Sequence, residues 1–215
     1  HLQNELPTKF LFNNGRFIIS ATVGSEVFGD KNWIGIFDQS FNLLDEHLIF
    51  NTRTDGFNNY DVQQTPDSGF VLVNSYQHWT GVITVIHKID QNGQTIFKKE
   101  LPRGEGMSIA NVIALPNGKY IVSWEVMEDA PAYYFFPPTI FGLDKEGEIE
   151  WQYKFNSVLP RLLFGITLSP EGTIIGFGTD DNLTGIYENT GAWFFEMTTE
   201  GKLLWTRNLV DLRLP

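Results

Sequence analysis

Few residues in this chain combine the types and spacings that chemistry needs. Cysteine is absent, which removes disulfides, thiolate metal sites and cysteine nucleophiles together. The histidines are His1, His47, His78 and His87. His87 falls on the same side of a strand as Ile83, Val85 and Ile89, which reads as packing. His78 stands between Tyr76 and Trp79 in the sequence, a grouping suited to stacking on a flat ligand. A nucleophilic histidine of the sulfotransferase kind would want basic neighbours, and no Lys or Arg accompanies His78 locally. Carboxylates cluster as Glu125, Glu128 and Asp129, and again as Asp180-Asp181-Asn182. Such oxygen ligands suit calcium, although neither stretch has Asp-x-Asp-x-Asp-Gly spacing, and solvated acidic loops are the plainer reading. A glycosidase pair would need its carboxyl groups roughly 5 to 9.5 Å apart, a distance that sequence does not set between separate loops. No phosphate-binding glycine loop, Gly-x-Ser-x-Gly elbow or His-Glu-x-x-His is present.

Charge narrows the partners. Fifteen basic residues face 26 acidic ones, a formal charge of −11. Nucleic-acid binding needs a basic patch to displace phosphate counterions, so it is not expected. No run approaches the roughly 20 apolar residues that span a bilayer. No signal peptide is visible, and a chain beginning at His1 is what removal of one would leave. A secreted, periplasmic or cell-surface location is the expectation.

The elements that must position these residues are repeats. Four segments align, opening at Lys9 (KFLFNNGRFIIS), Asp61 (DVQQTPDSGFVLVNS), Asn111 (NVIALPNGKYIVSW) and Gly165 (GITLSPEGTIIGFG). Each is a short apolar stretch, a tight turn and a β-branched or aromatic run. The turn glycines are taken as Gly15, Gly69, Gly118 and Gly172, since glycine supplies the positive φ such turns need. A second hairpin follows in each unit, turning at Gly93, Gly147 and Gly201, with Ser40-Phe41 in unit one. Four antiparallel strands repeated at about 50 residues predict an all-β chain, a β-propeller of four visible four-stranded blades. The blades span approximately 8–50, 59–101, 110–155 and 163–209 of a single domain covering 1–215. Phe97, Trp151 and Trp205 each fall four residues after the second-turn glycine, where a large side chain would fill the wedge between blade edges. Two geometries remain open, a closed four-bladed ring or an arc of a larger propeller. The ring has the advantage that an arc exposes unpaired apolar faces.

The unit DVQQTPDSGFVLVNS with VITVIHKIDQNGQTIFKKEL resembles the propeller repeats of large secreted and surface proteins of Bacteroidetes-type bacteria. More loosely, GEIEW and GKLLW are similar to quinoprotein-type repeats, whose outer strand carries a Gly and then a Trp. The resemblance covers about Lys9 to Leu209 and implies architecture, because such repeats serve enzymes, adhesins and assembly segments alike. The usual quinoprotein Thr-Gly spacing is missing, so no quinone is expected. Calcium is the one ion the acidic loops suit.

Loop lengths point to one face. Units three and four carry about five extra residues between their second and third strands, and units one and two are joined by a longer linker holding Arg53 and Asp55. In an up-and-down meander these loops leave on one side, and both hairpin turns leave on the other. The expected ligand-binding residues are therefore Tyr76, His78, Trp79, Asp129, Tyr133, Tyr134, Asp180 and Asp181. Aromatics beside carboxylates fit sugar rings or a protein partner. Non-catalytic binding is the expected function. A transferase or glycan-active enzyme at the same face, or a structural segment of a larger assembly, are the alternatives.

Overall fold

Sixteen strands form four antiparallel sheets of four, each in the order of the chain, and no helix occurs among the described residues. The computed structural model describes residues 5–13, 15–23, 31–50, 59–78, 81–102, 110–125, 138–155, 161–180 and 191–209. Blade 1 holds β1 (Glu5–Asn13), β2 (Arg16–Val23), β3 (Lys31–Phe37) and β4 (Leu43–Phe50). Blade 2 holds β5 (Asn59–Gln64), β6 (Phe70–His78), β7 (Gly81–Ile89) and β8 (Thr95–Glu100). Blade 3 holds β9 (Asn111–Ala114), β10 (Tyr120–Glu125), β11 (Pro138–Leu143) and β12 (Ile149–Lys154). Blade 4 holds β13 (Arg161–Leu168), β14 (Ile174–Asp180), β15 (Gly191–Met197) and β16 (Leu203–Leu209).

Unbroken apolar runs form the middle of each inner blade, because such a blade is covered on both faces. Residues 83–89 of β7 and the whole of β11 are buried. Three apolar clusters fill the gaps between blades. Ile18, Ile34 and Ile36 meet Phe70, Leu72 and Ile89 between blades 1 and 2. Val71, Val73 and Ile86 meet Val122, Trp124 and Phe141 between blades 2 and 3. Ile121, Ile140 and Phe155 meet Trp193, Phe195 and Met197 between blades 3 and 4.

The turns are built alike. Asp90 Oδ1 accepts the amides of Asn92 and Gln94, both at 2.8 Å, and Asp144 does the same for Glu146 and Glu148. These hydrogen bonds, the one from the Gln94 amide foremost, hold the Asp90 carboxyl below its ordinary value. Gly93, Gly147 and Gly201 then take φ of 78°, 82° and 86°. In unit one Phe41 occupies that position, at φ 61°. The first turns bring one correction. Ser68, at φ 66°, is the left-handed residue of unit two, so it corresponds to Gly15, Gly118 and Gly172. Gly69 is needed for a different reason: a Cβ there would come within 2.3 Å of the Ile89 carbonyl oxygen and 2.5 Å of Lys88 Nζ.

Among the described residues the four blades form an open series. Innermost strands pack β1 on β5, β5 on β9 and β9 on β13, and β13 makes no comparable contact with β1. The outward faces of the end blades stay open, with Phe10 and Phe12 on blade 1 and Phe164 and Phe177 on blade 4 about half exposed.

One carboxylate ties the inner strands together. Asp61 on β5 is 6% exposed and forms an ion pair with Lys9 on β1. Its Oδ1 also accepts the Val62 amide at 2.8 Å, and its Oδ2 accepts the Val112 amide of β9 at 3.0 Å. Asp61→Asn would leave the part-buried Lys9 ammonium without its counter-charge. The expected cost is about 2–3 kcal/mol, below that of a fully buried pair because Lys9 is partly wet. Urea unfolding should show it as a lower midpoint at unchanged slope.

Candidate functional site

Strand direction separates the two edges of the arc. Each inner strand starts at the edge where second and third strands connect and where one blade leads into the next. Both hairpin turns of every blade lie at the opposite edge. Segments 24–30, 51–58, 79–80, 103–109, 126–137, 156–160 and 181–190 all join the first edge and lie outside the described residues. Trp79, Asp129, Tyr133, Tyr134 and Asp181 fall in them.

Three of the expected residues fall on described backbone. Tyr76 and His78 are on the last stretch of β6, away from the tight turns, opposite Ile83 and Gly81 of β7. Among the described residues the β5–β6 ladder reaches Ser75 and the β6–β7 ladder runs on to His78. Asp180 closes β14, opposite Arg161 at the start of β13 and Gly191 at the start of β15. It stands one blade beyond β9 and two blades from the β6–β7 hairpin. The described backbone thus puts Tyr76, His78 and Asp180 on a common edge, on different blades.

On the inner strands β1 and β5 stand Lys9 and Asp61. Neither was expected. Their signal lies in the repeat alignment, where Lys9, Asp61, Asn111 and Gly165 open the four units and carry opposite charges in the first two. Both Asp61 oxygens are occupied by the ammonium and two backbone amides. A carboxylate held this way fixes strand spacing and has little capacity left as a base or nucleophile. Asn111 beside it donates from Nδ2 to Ser123 Oγ at 3.2 Å. Among the described residues, no three His, Cys, Asp or Glu side chains gather as a metal site.

The opposite edge holds a cleft of about 330 Å³ between blades 2 and 3, lined by Asp67, Lys88, Ile96, Tyr120 and Lys145. It holds a buried ion pair. Lys88, 3% exposed, donates to Asp67 at 2.9 Å and to the Ile89 carbonyl at 2.8 Å. Burial alone would raise the Asp67 carboxyl, but hydrogen bonds from Thr65, Lys88 and the Gly69 amide outweigh it and hold it low. Burial, reinforced by the carboxylates of Asp67 and Glu146, pushes Tyr120 up to about 12. It stays a neutral phenol at ordinary pH.

His87 is packed, as its strand position suggested. It is 7% exposed and its Nε2 lies 2.8 Å from Thr95 Oγ1.

The sequence matches no protein-family model and no curated protein. Solved structures do match in fold. A subtype N10 neuraminidase-like protein of A/little yellow-shouldered bat/Guatemala/060/2010 is 10% identical with a TM-score of 0.57, covering 97% of this chain and 63% of that one. A GH43 β-1,3-galactosidase is 11% identical with a TM-score of 0.53, covering 94% and 45%. A Bacteroides caccae protein of unknown function is 18% identical with a TM-score of 0.48, covering 82% and 54%. The chain thus spans less than two thirds of the length of these proteins. Together with the four meandering sheets, the neuraminidase-like protein and the galactosidase define an all-β, propeller-class fold. No helix among the described residues is long and apolar enough to cross a membrane.

His87 gives a pH prediction. Burial, with Lys98 nearby, lowers its pKa from 6.5 to about 4. The unfolded chain therefore binds the extra proton first. This stability is fully present above pH 6.5 and is lost as pH falls toward 4, by about 3 kcal/mol at most. Between pH 6.5 and 5, above the carboxylate range, His87→Gln should flatten the stability profile measured by urea unfolding. An unchanged slope in the variant would assign the pH dependence elsewhere.

Proposed function

We propose that this chain is a non-catalytic recognition module of a secreted or cell-surface protein, and that its loop-bearing edge binds a glycan. The observation that carries this reading is the division between edges. One edge consists of tight, side-chain-capped turns, and the other receives every longer connection. Loops on a rigid framework are where binding residues concentrate. The sequence gives those connections Trp79, Tyr133 and Tyr134 beside Asp129 and Asp181. Aromatic faces stack on the apolar faces of sugar rings while carboxylates accept their hydroxyls. The likeness to a galactosidase and a neuraminidase-like protein favours sugar over protein as ligand. It also supports a second reading, a glycan-active enzyme working at the same edge.

A glycan array followed by calorimetry on the best binder separates the two. Trp79→Ala and Tyr133→Ala should each weaken binding roughly tenfold or more, the scale expected for interface aromatics. His78→Ala, Asp129→Asn and Asp181→Asn should give graded losses of affinity with no product formed. Turnover that collapses in one of these variants while affinity holds would establish the enzyme. Absence of any sugar binding, with protein ligands captured through Trp79, would overturn the glycan reading. Repeating the titration in EDTA tests calcium at Glu128-Asp129 or Asp180-Asp181.

A further inference from the structure

The junctions between blades share one device. An outer-strand ring of each blade lies over the second-turn glycine of the next. His47 of blade 1 covers Gly93, where a Cβ would come within 2.7 Å of its Nδ1. Phe97 of blade 2 covers Gly147, and Trp151 of blade 3 covers Gly201, each leaving only 2.6 Å for a Cβ. The same rings reach the first residue of the next blade's second strand. His47 lies 6.1 Å from Phe70, and Phe97 lies edge-on to Tyr120 at 5.8 Å. Trp151 also donates its indole N–H to the Thr199 carbonyl in the turn it covers, at 3.1 Å.

The series is incomplete at both ends, in different ways. Blade 4 presents the covering ring, Trp205, with no turn beneath it. Trp205 is 37% exposed, and its N–H is turned back to Glu196 of its own blade. Phe164, Phe177 and Leu209 of the same blade are exposed as well. Blade 1 has the receiving place, but it is filled. Phe41 stands at the turn position and stacks on Phe17 of β2, the equivalent of Phe70 and Tyr120, at 4.4 Å and 7°. A covering ring from another blade would meet the Phe41 side chain where the three other turns offer glycine.

We propose that the outward face of blade 4 is a docking surface for a further four-stranded antiparallel blade whose outer hairpin turns on glycine, and that Trp205 is the side chain that seats on it. The face continues an interface that the chain itself uses at three junctions. A second copy of this chain does not supply the occupant, because its blade 1 brings Phe41 to the junction.

Two measurements test this. Sedimentation equilibrium of the chain up to about 100 µM should show no association dependent on Trp205. A dimer abolished by Trp205→Ala would make a second copy the occupant and overturn the proposal. The second measurement uses a chain in which residues 156–209 are repeated after Leu209, which adds a blade with a turn glycine. The difference between its emission spectrum and that of its Trp205→Phe variant should move to shorter wavelength relative to the same difference in the parent chain. Trp205→Ala should also lower Tm several times more in the extended chain than in the parent. A folded extended chain with neither change would overturn the proposal. If the extension fails to fold, Phe41→Gly in the parent chain keeps the test open. It should create a self-association at least tenfold tighter than the parent's and dependent on Trp205, and its absence would refute the role given to both residues.

Discussion

A sheet that is apolar on both faces cannot stand alone in water. That constraint governs the molecule. Residues 83–89 of β7 and all of β11 are buried because a neighbouring blade lies on each side. Hydrophobic burial of this kind is non-directional and would tolerate sliding. The alignment of one blade on the next therefore comes from a few directional contacts. Asp61 reaches from β5 to Lys9 on β1 and to the Val112 amide on β9, fixing three inner strands at their loop-edge ends. At the outer strands, ring-over-glycine contacts fix the opposite edge. With both radii pinned, the loop-bearing edge has a rigid base.

Much of this was legible in the sequence. A period near 50 residues, paired turn signals and continuous β-branched runs gave all-β blades in a meander, and that is the topology. Phe97 and Trp151 fill the wedges that their spacing from Gly93 and Gly147 implied. Register inside a turn was harder. PDSG and PNG differ by one residue, and alignment on the glycine put Gly69 where Ser68 belongs. Serine tolerates the left-handed conformation at a modest cost when the turn hydrogen bonds enforce it, so the conspicuous glycine misled. Closure was illegible for another reason. Periodicity counts blades, but the angle between them depends on side-chain volumes in each wedge.

The site was legible only as an edge. Tyr76, His78 and Asp180 fall on it by strand direction, which the meander dictates. Lys9 and Asp61 carry no signal within either unit taken alone. Only the comparison of equivalent repeat positions sets a cation against an anion across neighbouring blades. Long-range pairs of this sort are invisible to local pattern, since 52 residues separate the partners.

The Asp61 clamp spans blades 1 to 3 and does not reach blade 4. Among the described residues, blade 4 is joined by the Phe155, Trp193 and Phe195 cluster and by an indole hydrogen bond from Trp151. Under a pulling force along the chain, resistance would therefore be uneven. Blade 4 would peel away through apolar contacts that yield gradually, whereas the first three would hold until an ion pair and a backbone hydrogen bond parted together.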